Sequence, residues 1–443
     1  MENSNFYGTE KISRILLRLA PPVMLAQLIQ ALYNIVDSFF IGRWSETALT
    51  ALSIVFPLQL LMLALGVGTG VGINTAIAHY LGLGRRQRAE EFAGTGTPLA
   101  FAIWVVFASV CWFGMPAYAK MSTDSPQVVA DVISYGRIVC CISLPHFAEC
   151  IWAKILQAHG DMKTPMTAQI AGALTNIILD PVLIFGLFGI RPMGVAGAAL
   201  ATVAGQCVAA LVVAKKALRK SPPLRKYPFI VGRVYALGTP NILMQAAYTF
   251  YILGFNLILA SFCDQAVTAL GLYYKWQTFF IIPLNAMQTC IVPIVSYNLA
   301  AKQPHRCRTA LLDALAFGML FITVGVVCFE FFPAQLIGLF SRDALVAEIG
   351  ITGFRIIGLS FYPIITSLTY PVFFQALGQA GKSSALTILR TVVLFVPLGF
   401  VFSRFGLTYF WLTYPVTELI TSAVGYVFYR QFVRDYCTAA YTD

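Results

Sequence analysis

Twelve apolar segments, each long enough to cross a bilayer as a helix, follow one another along this chain. They fall at about residues 15–41, 48–82, 92–118, 128–158, 165–187, 193–215, 232–258, 266–297, 309–332, 346–377, 384–404 and 408–430. A backbone in hydrocarbon must satisfy its own polar groups, and continuous runs of this kind do so as helices. The 443 residues are 58% hydrophobic and only 11% charged, which leaves no room for a soluble domain of ordinary size. The expected class is all-α, a polytopic membrane protein of twelve transmembrane helices. The polar start, MENSNFYGTEKISR, reaches no small-residue cleavage site and reads as a short cytoplasmic lead without a signal peptide.

The formal net charge of +11 invites a nucleic-acid reading, but the basic residues cluster between the apolar runs. That distribution orients membrane proteins and attracts membrane lipid, so no nucleic-acid partner is expected. One side of the predicted membrane collects 21 Lys and Arg and the other five, which places both termini in the cytoplasm. The ten Cys are scattered, with Cys140 and Cys141 adjacent and no CxxC, and the four His show no ligand spacing. Neither a Ser–His–Asp set nor a nucleotide motif is evident, so no enzyme and no cofactor are expected.

An internal repeat organises the chain. Pro22 in LAPPV matches Pro240 in LGTPN at a shift of 218, and ALTAL (Ala48–Leu52) matches AVTAL (Ala266–Leu270) at the same shift. Arg137 pairs with Arg355, Pro145 with Pro363, and QAHG (Gln157–Gly160) with QALG (Gln375–Gly378), still at 218. Each repeat holds six predicted spans, so both halves enter the membrane in the same orientation, as two pseudo-symmetric six-helix bundles. The expected boundaries are 1–215 for the first lobe, 216–231 for a cytoplasmic linker and 232–443 for the second lobe. Two equivalent bundles suit alternating access.

A carboxylate in hydrocarbon is costly and usually faces a cavity or a partner. Asp37 is the only charge between Arg18 and Arg43, and Asp180 lies in NIILDPVLIFG. Asn176 sits one helical turn from Asp180 on the same face, and Thr202 falls at a similar predicted depth. Asp37, Asn176, Asp180 and Thr202 offer oxygen ligands for a hard cation such as Na⁺, or a carboxyl relay for a proton. Pro181 cannot donate to the carbonyl of Ile177, which leaves a further oxygen free nearby.

The second half is not equivalent. Phe255 stands where the repeat would place an acid matching Asp37, and Gln30 and Tyr33 correspond to Tyr248 and Tyr251. The charges expected inside this half are Lys275, Glu330 and Glu418, with Arg390 near the inner face and Lys275 and Glu418 as the pair. The coupling chemistry is therefore expected in the first bundle. Tyr33, Tyr248, Trp276 and Met287 are among the aromatic and Met side chains that can line an adaptable pocket.

On LAPPVMLAQLIQALYNIVDSFFIG, QAHGDMKTPM, NIILDPVLIFGLFGIRPMGVAGAALAT and QALGQAGKSS, the chain resembles the bacterial multidrug and toxic compound extrusion (MATE) family. The resemblance implies twelve helices in two lobes around an outward-open cleft, and H⁺- or Na⁺-driven antiport of amphipathic, often cationic drugs. It implies a cation-coupling site at Asp37, Asn176, Asp180, Ala198 and Thr202, with Gln30, Tyr33 and Asn34 lining the cavity. It further implies a bacterial cytoplasmic membrane protein, here expected as a monomer. The alternative is a lipid-linked glycan flippase of the same superfamily, which would need several Arg or Lys in the cleft. Arg137, Lys154, Lys275 and Arg355 are the candidates.

Overall fold

The computed structural model describes residues 6–438 apart from 124, 190 and 342, and leaves aside the side chains of 34, 35, 38, 42, 46, 49, 249 and 264. The described residues are helices, turns and irregular connections, with no strand among them. Among the described residues nine helices are long and apolar enough to cross a membrane, or up to eleven if each of two bent pairs is one span. Large apolar side chains on their flanks stand open, such as Phe113 at 80% and Phe331 at 73% exposed, as lipid-facing surfaces require. The last expected segment folds as Thr413–Phe432, which carries Glu418 and Arg430.

The chain divides into two compact units. Of the described residues, the first unit holds 21–242 and the second holds 6–20 with 243–438. Helix α2 (Ile12–Trp44) passes from one unit to the other at Pro21, and α9 (Tyr227–Ala260) does so just after Pro240. The two helices correspond in the repeat, and each changes over where proline interrupts the hydrogen-bond ladder.

In the first unit follow α3 (Glu46–Gly82), α4 (Arg86–Ser122), α5 (Pro126–Cys141), α6 (Leu144–Ala158), α7 (Lys163–Phe185) and α8 (Gly194–Ala217). The segment 128–158, expected as one span, is bent by 42° between α5 and α6. Its physical cause is Pro145, which has no N–H for the carbonyl of Cys141. The Trp104 indole donates to that oxygen instead, at 2.8 Å. The second unit continues with α10 (Asp264–Ala300), α11 (Pro304–Phe331), α12 (Pro333–Gly338), α13 (Ala344–Gly358) and α14 (Phe361–Ala376). Here α13 and α14 bend by 57° ahead of Pro363, the repeat partner of Pro145. The rest is α15 (Ala380–Ile388), a π-helical turn over Leu389–Phe395, α16 (Val396–Ser403), α17 (Leu407–Phe410) and α18 (Thr413–Phe432).

The polar lead is more structured than its sequence indicates. Helix α1 (Phe6–Thr9) buries Tyr7, and Arg306 of the second unit donates to Tyr7 O at 2.8 Å and to Glu10 O at 2.6 Å. Asn298 donates to Tyr7 O at 3.0 Å and accepts from Arg306 Nε at 2.9 Å.

The QAHGD motif makes the turn into α7. Gly160 adopts φ 85°, and its repeat partner Gly378 adopts 76°, a region that favours glycine. Asp161 then accepts from Thr164 N at 2.9 Å and Thr164 Oγ1 at 2.6 Å, with Lys216 Nζ at 3.3 Å. Partial burial alone would raise this carboxyl, but the bonds from Thr164 and the Lys216 ammonium hold it below its ordinary value of 3.8. Asp161→Ala is expected to cost about 1 kcal/mol in thermal unfolding, as for other helix-start carboxylates. The contribution is complete above the ordinary value and is lost as pH falls through the depressed one, so the gap between the two proteins should begin to narrow near pH 3.8 and close below the depressed value. A gap that persists there would show that Asp161 acts by packing.

Candidate functional site

Helices α7 and α8 approach unusually closely because glycine faces glycine. A Cβ placed on Gly205 would lie 2.6 Å from the carbonyl oxygen of Gly172. That approach sets Asn176 of α7 directly against Thr202 of α8. Asp180, Asn176 and Ala198 are 0%, 2% and 0% exposed, and Thr202 is 8% exposed. Turning the Asn176 amide so that its oxygen accepts from Thr202 N at 3.2 Å leaves its nitrogen donating to Asp180 Oδ2, also at 3.2 Å. The amide is thereby satisfied at both ends and fixes the Asp180 carboxyl.

Asp37, from α2, completes the cluster. Its carboxyl group lies within hydrogen-bonding reach of that of Asp180. Asp37 Oδ1 is buried and has no hydrogen-bond partner among the described residues. Two carboxyl groups in such contact, one of them fully buried, are compatible only if a proton or a cation stands between their charges. The arrangement therefore offers oxygen ligands from two carboxyls, an amide and a hydroxyl. Among the described residues no group of three or more His, Cys, Asp and Glu is placed to hold a metal ion.

Around the pair, Tyr33 exchanges a hydrogen bond with Gln30 and lies in the field of Asp37 and Asp180. The Asn34 side chain lies outside the described residues. Gln59 Nε2 donates to the Tyr135 hydroxyl at 3.3 Å, and Tyr135 lies in the same field. Sequence reasoning passes over Glu149 of α6, although an acid inside an apolar run is the signal that singles out Asp37. Glu149 Oε1 is buried without a hydrogen-bond partner among the described residues, and the group interacts with Tyr33, Cys150 and Lys154.

The second unit replaces this chemistry. Phe255, in the place of Asp37, is fully buried and packs edge-on against Tyr251, Phe395, Phe410 and Tyr414. Tyr248 packs on Tyr251 with ring centroids 5.2 Å apart. Trp276 donates to Leu336 O at 3.1 Å, and Met287 is 2% exposed. The expected pairing of Lys275 with Glu418 is corrected: Lys275 is exposed, with its ammonium 5.0 Å from the Phe340 ring centroid. Glu418 is held by Arg390, whose Nη2 is 2.6 Å from Oε1 and whose Nε is 3.0 Å from Oε2, and by the Ser367 hydroxyl. Glu330 Oε1 is buried without a hydrogen-bond partner among the described residues. Arg390 is 6% exposed, well inside the unit. Its place in the π-helical turn shifts the helix face that side chains present there, which a regular helix count misses.

A sequence model of the MatE family matches residues 22–182 and again residues 240–401. The chain belongs to the MatE family. The two matches begin at 22 and 240, the shift of the internal repeat, so each half of the chain is one copy of the family's unit. An FAD transporter from Shewanella oneidensis is 25% identical over 429 residues, covering 94% of each chain. The multidrug export protein MepA of Staphylococcus saprophyticus is 25% identical, covering 92% of each chain. A MOP superfamily transporter from Pyrococcus furiosus superposes with a TM-score of 0.91 at 22% identity over 98% of each chain, which establishes a shared fold. This MatE protein is accordingly a polytopic membrane transporter.

Proposed function

We propose that this MatE protein is a secondary antiporter that exports amphipathic organic cations in exchange for H⁺ or Na⁺. The observation that carries the reading is the contact between the Asp37 and Asp180 carboxyl groups. Asp180 is buried with Asn176 and Thr202, Asp37 is half-buried, and one buried oxygen of Asp37 has no hydrogen-bond partner among the described residues. Such a pair changes its net charge by taking up a cation, and a charge change on α2 biases how that helix packs. Uptake on one side and release on the other then drives the lobes between two states. Ala198, fully buried one turn from Thr202 on α8, is the small position of the proposed ion site. Gln30, Tyr33, Asn34, Tyr248, Trp276 and Met287 are the proposed substrate contacts.

In this reading the chain has twelve spans, lobes 1–215 and 232–443 joined by 216–231, both termini in the bacterial cytoplasm, and works as a monomer. A large anion such as the FAD carried by the Shewanella relative is less suited. The buried Arg390 is matched by Glu418 and offers no surplus positive charge. The flippase alternative finds no support either. Arg137 lies on the Trp112 ring at 4.7 Å, Lys275 and Arg355 are exposed, and Lys154 lies in the field of Glu149.

The test is efflux of a fluorescent lipophilic cation from proteoliposomes under an imposed pH gradient or an imposed Na⁺ gradient. Efflux is expected under one of the two, which names the ion. Transport indifferent to both would remove the antiporter reading.

A further inference from the structure

We propose that Arg88, Arg225, Lys226 and Phe229 form a binding site for the phosphodiester headgroup of an anionic phospholipid. These four residues of the first unit line an open surface pocket of about 410 Å³. Arg88 lies in the first turn of α4, and Arg225–Phe229 lead into α9. Both helices begin their membrane-length runs here, and in a bilayer the ends of such runs meet the headgroups.

The charge balance favours an anion. Lys226 Nζ is 2.5 Å from Glu91 Oε1 and Arg88 Nη1 is 3.4 Å from Glu91 Oε2, so one carboxylate serves two cations. Arg225 is exposed and makes no ion pair among the described residues. Three positive groups against one acid leave a surplus of two, with two guanidinium forks suited to phosphate oxygens.

The site is held in place before any ligand arrives. The backbone of the connecting segment rests on α4, where a Cβ on Gly94 would lie 2.0 Å from Lys220 O. Arg219 lies 3.0 Å from Glu90 of the same helix. What selects a lipid over a soluble phosphate is the rim. Leu224 is 83% exposed and Phe229 is 57% exposed, apolar side chains beside the cations, as at surfaces that meet acyl chains and headgroups together.

The experiment is native mass spectrometry of the purified full chain, released from micelles containing phosphatidylglycerol or phosphatidylcholine. Wild type is expected to retain phosphatidylglycerol and not phosphatidylcholine. Arg88→Gln with Arg225→Gln should weaken that retention about thirtyfold, the combined loss of two surface cations. Phe229→Ser should also weaken it. If the double variant fails to fold, Arg225→Gln alone, at an exposed side chain, should weaken retention about fivefold. Unchanged retention in the variants, or equal retention of phosphatidylcholine, would overturn the proposal. Displacement of the lipid by millimolar inorganic phosphate, with Phe229→Ser behaving as wild type, would overturn the assignment to lipid.

Discussion

Asp37→Asn is expected to bring gradient-driven efflux to background while leaving the protein folded and still able to bind a cationic amphiphile. Asparagine keeps the shape of the side chain but cannot carry the charge that is exchanged for the driving ion. Two carboxyls meet at this point, and the Asn176 amide already fixes Asp180, so the unpartnered Asp37 oxygen is the one open to an arriving ion. The substitution also removes a like-charge contact. Its melting temperature should therefore equal or exceed that of wild type. That second readout separates coupling from architecture: lost efflux with a retained melting temperature supports a coupling role, and lost efflux with a large drop in stability would make Asp37 structural. Efflux that survives in Asp37→Asn, under the gradient that drives wild type, would remove the coupling role from α2.

How much of this is visible in the sequence follows from what each signal depends on. Apolar runs and buried acids are properties of single segments, so the membrane class, Asp37 and Asp180 are readable directly. Asn176 is readable because one turn of α7 fixes its position relative to Asp180. The 218-residue repeat carries through to a bend at the same place in each half, ahead of Pro145 and Pro363. What is not readable is how each helix is rotated about its own axis. Lys275 and Glu418 are both charged and both in the second half, yet packing turns Lys275 outward to the Phe340 ring. Arg390 looks peripheral by counting residues from the end of its run. The π-helical turn and the contact with Glu418 place it in the interior. Glu149 carries the same local signal as Asp37, and only its surroundings in the fold relate it to Tyr33, which also lies in the field of the acidic pair.

The second large effect is expected at Arg390 and Glu418. The Arg390 side chain is 7% exposed and that of Glu418 fully buried, and the guanidinium binds the carboxylate through both Nε and Nη2. The Ser367 hydroxyl donates to the same carboxylate, and the Phe395 ring lies 4.9 Å from the guanidinium carbon. Glu418→Ala would leave a guanidinium in an aromatic interior with no counter-charge. Breaking a buried pair from one side costs about 3–5 kcal/mol, because the remaining charge is uncompensated. Removing both charges does not leave that debt. The double variant with Arg390→Met and Glu418→Leu should recover most of the loss, read as the midpoint of thermal unfolding in detergent. Recovery would identify the pair as mutual neutralisation inside the second lobe. If the double variant were as unstable as Glu418→Ala, the hydrogen bonds that this carboxylate organises among α14, α18 and the π-helical turn would be the stabilising element. If Glu418→Ala were itself neutral, Arg390 would have a second partner within reach, and the buried tyrosines Tyr251, Tyr273 and Tyr414 would be the first hydroxyls to test by substitution to Phe.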